Sequence, residues 1–212
     1  MKYEYGGVEY EGDDFYCYPD TKVLMNQFDI RDYDKLQDTE RKLSYAKIKH
    51  LTANPFKGTF DLKYLQKIHR FIFEDIYTWA GRIRGGQFFS KGETEFCRAP
   101  MIYTYADNVF GKLRNEKWLR GLPREQFIER MAYYMAEINT LHPFREGNGR
   151  TGRVFFEELA RRARYEINFG NVEPDELLKA DIAAYGKDYA PMIMLLDQKI
   201  LSVCLYENSQ PY

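Results

Sequence analysis

The chain has 212 residues, 44% of them hydrophobic and 17% aromatic, with 31 basic against 32 acidic side chains and a formal net charge of -1. That length and apolar content build one substantial core and argue against disorder. The balanced charge argues against a general nucleic-acid binder, which needs a basic surplus against phosphates.

The chain shows no apolar run long enough to span a bilayer, so no membrane association is expected. Its start, MKYEYGGVEYEGDD, is polar and acidic, unlike a cleavable signal peptide. Cys17, Cys97 and Cys204 lie far apart without a C-x-x-C pair, which fits reduced thiols in the bacterial cytoplasm. His50, His69 and His142 are also scattered, so no zinc cluster is expected.

In chain order, residues 1–20 read as irregular, within an N-terminal segment 1–34. A helix is expected near 35–51, and another over 61–78, where Leu65, Ile68, Ile72 and Ile76 recur at helical spacing behind a capping Asp61. Residues 81–100 change period. QFF and TEF flank SKGE, which reads as a β-hairpin with a glycine turn. Helices resume near 101–114 and over 124–140, the latter with a Phe127, Met131, Tyr134, Ile138 and Leu141 stripe. Further helices are expected from about 149 to 164, near 174–185, and over 190–206. The expectation is a single all-α domain over 1–212, with its core at about 35–195 and one small hairpin.

Between two of these helices stands HPFREGNGRTGR, residues 142–153. Its GNGRTG matches the glycine spacing of a dinucleotide fingerprint. That fingerprint must follow a β-strand in a βαβ unit, and here an amphipathic helix precedes it. The segment makes sense instead as an anion site. Gly147 and Gly149 let backbone N–H groups approach a phosphate, and the helix that follows adds its positive end. Arg150 and Arg153, three apart, share a face and can clamp phosphate oxygens. Glu146 makes sense beside them if it holds Mg²⁺ together with substrate phosphates. Asn148 can donate to a phosphoryl oxygen. His142 can take a proton from an attacking hydroxyl. Pro143 stops the preceding helix, and Phe144 anchors the loop in the core. His50 and His69 read as structural, His69 because no acid–base constellation lies beside it.

HPFREGNGRTGR resembles the Fic family signature H-P-F-x-[D/E]-G-N-G-R-x-x-R at every fixed position. YCYPDTKVLMNQFDI resembles the family's Y-x-Y-P-G-T-x-V-L-x-N opening, with Asp20 in place of glycine, and IHRFIFEDIYTWAGRIR resembles the helix that precedes its active-site flap. The resemblance runs over most of residues 16–195. It implies a Fic-type helical bundle that transfers AMP from ATP to a Ser, Thr or Tyr hydroxyl of a target protein and releases pyrophosphate. By that resemblance His142 is the base and Glu146 the Mg²⁺ ligand. Asn148 and the amides around Gly147 and Gly149 stabilise charge at the α-phosphate, and Arg150 and Arg153 orient the other two phosphates. The hairpin is the flap. Ser90, Lys91 and Gly92 border the nucleotide, and Glu93, Thr94 and Phe96 dock the target as an added strand. Other readings are removal of AMP, transfer of a different phosphoryl group, or a non-enzymatic nucleotide-binding adaptor.

The resemblance also implies a restraint, in which a glutamate from an [S/T]-x-x-x-E-[G/N] helix meets Arg153. No Ser or Thr here has a glutamate four residues later; Ser202 and Glu207 are five apart. The expected restraint is therefore a small antitoxin-like partner, and delivery into another cell as an effector is an alternative location.

Overall fold

The structure is a computed structural model, which describes residues 8–10, 15–86, 89–91 and 94–203, with 8–10 and 199–203 as backbone alone. Within these it is mostly helical. A first strand, β1 (Val8–Tyr10), precedes two long helices, α1 (Tyr33–Ala53) and α2 (Leu62–Phe73). The flap strands β2 (Phe89–Lys91) and β3 (Thr94–Glu95) follow. Helices α3 (Ile102–Asn115), α4 (Arg124–Leu141) and α5 (Asn148–Arg162) lead to strand β4 (Tyr165–Ile167). The described chain closes with α6 (Pro174–Tyr185), α7 (Ala190–Leu195), a π turn over Leu196–Ile200, and β5 (Leu201–Val203).

Local chemistry accounts for these boundaries. Asp32 and Asp61 cap α1 and α2, accepting from the N–H groups of Lys35 and Tyr64. Helix α2 ends at Phe73, before the expected 78, yet Ile76 and Tyr77 remain buried. They reach the core through turns, with both of their N–H groups donating to the Phe73 carbonyl, so helical spacing outlasts the helix itself. Proline stands in the first turn of α6 and of α7, where a missing N–H costs little.

Three strands depart from the sequence reading. β1 lies in the stretch read as irregular and pairs antiparallel with β2, with Val8 opposite Lys91 and Tyr10 opposite Phe89. The flap is thus a three-stranded sheet in the order β1-β2-β3, with β2 central. The expected helix over 190–206 breaks after Leu195. The chain turns through the π segment and pairs β5 with β4, Ser202 opposite Glu166. Residues 204–206 of that expected helix lie outside the described residues. Near the start, Asp20 takes a φ of 59°, a left-handed turn that explains the glycine usual in the resembling motif. Asp tolerates it better than most side chains.

The core lies where α1, α2, α4 and α5 meet. Phe155 is fully buried, with ring contacts to Phe60, Tyr64, Phe110 and Phe156. Tyr64 also donates to the carboxylate of Glu158 and to the Phe56 carbonyl, fixing α2 against α5. Among the described residues, no helix is long and apolar enough to cross a membrane. Phe155→Ala should cost about 3–5 kcal/mol of stability, because four aromatic rings cannot collapse into the space. Urea unfolding with an unchanged slope checks this; a loss under about 1 kcal/mol would mean the cluster is loosely packed.

Candidate active site

The signature segment is a tight loop between α4 and α5. His142 closes α4 in a left-handed conformation, φ 40° and ψ 60°. Gly147 opens α5 with a φ of 81°, and a Cβ there would lie 2.3 Å from the ring of Phe73. Only glycine satisfies both conditions. No side chain caps α5, so its first-turn N–H groups face an incoming anion.

His142 is buried, and its tautomer can be read from its partners. Nδ1 lies 3.2 Å from the Asn139 carbonyl, which can only accept, so Nδ1 carries the proton. Nε2 therefore presents its lone pair, and it has no hydrogen-bond partner among the described residues. Phe96 stacks on the imidazole at 3.6 Å, and Phe89 meets it edge-on at 5.2 Å. Burial, then the charges of Lys91 and Arg84, hold the imidazole well below its ordinary pKa. It is neutral, as a proton acceptor must be.

Burial alone would raise the pKa of Glu146. The charges of Lys91 and Arg150 and the Gly147 amide outweigh it and hold the group below the usual carboxylate value. Oε1 accepts the Gly147 N–H at 2.8 Å. Asn148 closes the loop, with Oδ1 accepting from the Phe144 N–H at 2.9 Å and Nδ2 donating to the Phe144 carbonyl at 2.7 Å.

The two signature arginines part company. Arg150 turns to α1, where it pairs with the buried carboxylate of Glu40, donates to Ser44 Oγ at 3.1 Å, and lies 3.4 Å from Glu146. Tyr77 also donates to Glu40. A buried carboxylate requires a cation, and Arg150 supplies it. Arg153 instead lines a cleft with Asn148, Gly149, Gly152 and Asp181. Its Nη1 lies 3.3 Å from where a Cβ on Gly149 would stand. The sequence placed both arginines on one face; tertiary pairing separates their guanidinium groups.

In the flap, Ser90 is buried in the central strand, and Lys91 sends its charge towards His142 and Glu146. Gly92 and Glu93 lie outside the described residues. Thr94 is half-buried, but Phe96 is not on an open edge: its ring is buried on His142. A ring that packs an imidazole is a poor docking surface for a target.

Several residues here escaped the sequence reading. Arg84 donates from Nε to the His142 carbonyl at 2.8 Å and from its backbone to the Pro143 carbonyl at 2.9 Å, and its guanidinium also meets the Cys97 carbonyl. The sequence signal was present, since Arg84 ends the motif before the flap. His69, read as merely structural, accepts the Gly81 N–H and bonds the Glu146 carbonyl. Asp181 of α6 faces Arg153; burial pushes its carboxyl up to about 7 against the pull of that charge. Nothing in the local sequence marks Glu40 or Asp181.

The Fic/DOC family matches residues 59–160. The "Probable protein adenylyltransferase Fic" of Escherichia coli is 31% identical over 90% of this chain and 94% of its own. The chain belongs to the Fic/DOC family. Protein adenylyltransferase VbhT of Bartonella schoenbuchensis is 40% identical over 84% of this chain, which spans only 37% of that relative's length. Among solved Fic-fold structures, BepC of Bartonella tribocorum, with bound AMPPNP, superposes with a TM-score of 0.82 at 27% identity, covering 90% of this chain and 97% of that one. The mostly helical Fic architecture is thereby established for this chain.

Burial of the site histidines has a consequence for pH. Burial holds His69 at about 4, against an ordinary 6.5. Between those values the unfolded chain binds a proton that the folded one does not. The stability contributed by this burial is full above about pH 6.5 and falls as pH drops, by roughly 3 kcal/mol at pH 4 from His69 alone. His142 acts in the same direction. Asp181 and Glu157, both pushed up to about 7 by burial, act in the opposite direction over the same window. The contribution of His69 is therefore read as the difference between the parent and His69→Gln. Urea unfolding from pH 7.5 to 4.5 should show the parent losing stability relative to the variant, and a constant difference would contradict neutral burial of the ring.

Proposed function

We propose that this chain is a protein adenylyltransferase, transferring AMP from ATP to a Ser, Thr or Tyr hydroxyl of a target protein. The observation that carries the reading is the Nε2 lone pair of His142, fixed by the Nδ1–H to Asn139 contact, beside the uncapped N-terminus of α5. The relatives' adenylyltransferase names and the AMPPNP held by BepC support it.

The first-turn amides of α5 bind the phosphates, with Gly147 and Gly149 allowing close approach. His142 Nε2 accepts the target hydroxyl proton as that oxygen attacks the α-phosphorus. The bond from the α-phosphorus to the bridging oxygen breaks, and pyrophosphate leaves. A target segment has to displace part of the Phe89 and Phe96 cover to reach Nε2. Arg153 takes the distal phosphates, and Arg150 holds Glu146 and α1 in place around them. The outer strand β3 gives the target segment a sheet edge, with Lys91 in the central strand behind it.

Glu146 fits a hard divalent cation such as Mg²⁺. It is an ionised carboxylate at a phosphate site, and such cations bind through one or two carboxylates plus phosphates. That ion would neutralise charge on the phosphates. The restraint we propose is a separate antitoxin-like protein whose glutamate meets Arg153. Ser202 lies in a strand, which removes the helical basis for a self-inhibitory version here, and Glu207 lies outside the described residues.

Incubation with isotope-labelled ATP, Mg²⁺ and bacterial or host lysate, followed by mass spectrometry, should reveal AMP on a protein hydroxyl. His142→Ala should lower transfer at least on the order of a hundredfold while ATP binding survives. Near-normal turnover would remove the base from His142. For the cleft, Asp181→Asn should tighten ATP binding by removing a charge beside the distal phosphates. The gain should be larger at pH 8, where Asp181 is ionised, than at pH 6, where it is largely protonated. Calorimetry at both pH values decides, and an equal gain at each would place Asp181 away from the nucleotide.

A further inference from the structure

His69 is fully buried in α2 and touches no reacting atom in the proposed transfer. Its Nδ1 accepts the backbone N–H of Gly81 at 2.8 Å. An N–H can only donate, so the neutral ring carries its proton on Nε2. Nε2 donates that proton to the carbonyl of Glu146 at 2.9 Å. The ring also stacks on Phe144, with centroids 3.9 Å apart and planes 24° from parallel.

The bond to Glu146 reaches the metal-binding carboxylate through a single rigid plane. In a trans peptide, the Glu146 C=O and the Gly147 N–H point in opposite directions. His69 holds the C=O; the N–H, directed away, donates to Glu146 Oε1 at 2.8 Å. Fixing the carbonyl therefore fixes the donor that orients the carboxylate. The same plane leads into Gly147, whose φ of 81° seats it against Phe73 and starts α5.

We infer that His69 is a positioning residue of the nucleotide site: its Nε2–H sets the Glu146–Gly147 peptide, and through it the Glu146 carboxylate and the first amides of α5. A plain core histidine would need only volume and stacking, which leucine or phenylalanine supplies. The positioning role needs a donor at the Nε2 position.

Amide side chains separate the two functions. In His69→Gln, the Nε2 amide stands near the imidazole Nε2 and keeps the donor to Glu146. In His69→Asn, the shorter side chain reaches only the Nδ1 position, keeping an acceptor for Gly81 and losing the donor. Calorimetric titration with ATP, in MgCl₂ and in EDTA, is read beside thermal melting. His69→Asn should lose on the order of tenfold of the Mg²⁺-dependent gain in ATP affinity, as supporting contacts behind metal ligands do. His69→Gln should stay within about threefold of the parent by the same comparison.

An unchanged Mg²⁺-dependent gain in His69→Asn would overturn the inference, as would a tenfold loss in His69→Gln. Should His69→Asn fail to fold, His69→Gln decides alone. ¹⁵N spectra of the parent add an independent check: the Nε2–H tautomer is expected, and an Nδ1–H tautomer overturns the role. The inference rests on the nucleotide reading of the site. A parent chain that bound no ATP with Mg²⁺ would defeat that reading, whereas normal parent binding with His69→Asn unaffected would defeat only the role of His69.

Discussion

The signature loop is held through its carbonyl oxygens. Arg84 takes those of His142 and Pro143, Asn148 that of Phe144, His69 that of Glu146, and the Thr151 N–H that of Gly147. A loop between two buried helices would otherwise leave these acceptors unsatisfied, at a cost of about 1–3 kcal/mol each. Satisfying them from four directions leaves the chain one path. The left-handed turns at His142 and Gly147 are the conformational consequence of that path, and the proposed base and phosphate site both depend on it.

Two histidines in this frame hold opposite tautomers for the same physical reason. A carbonyl at Nδ1 makes His142 a base at Nε2, and an N–H at Nδ1 makes His69 a donor at Nε2. Burial keeps both neutral, so neither tautomer is lost to protonation at ordinary pH. The partner on one nitrogen thus decides whether the other takes a proton or gives a hydrogen bond.

Charge is arranged in two tiers. Behind the loop, Glu40, Tyr77, Ser44 and Arg150 form a buried network that ties α1 to α5. Burial pushes Glu40 towards its neutral form, and Arg150 pulls it back. In front, Arg153 lines the cleft with Asp181 opposing it, and Lys91 of the flap acts on Glu146. Breaking the rear network would leave a buried charge without its partner, which is far more damaging than losing an exposed pair.

Much of this was legible in the sequence, because local chemistry carried it. The cap at Asp61, the amphipathic stripes and the two glycines of the loop are short-range constraints, and they placed six of the helices and His142 between two of them. The motif spacing likewise put His142, Glu146 and Asn148 in one loop. Contacts between distant segments were decided by tertiary structure. Glu40 lies 110 positions from Arg150, and no periodicity could pair them. His69 is 77 positions from Glu146, so its role is invisible until α2 packs beside the loop. The strands β1 and β5 escaped for a related reason: each is three residues long and stabilised only by a partner far along the chain. The sequence by itself determined which groups could do chemistry; packing alone decided which imidazole nitrogen keeps its lone pair and which arginine stays at the cleft.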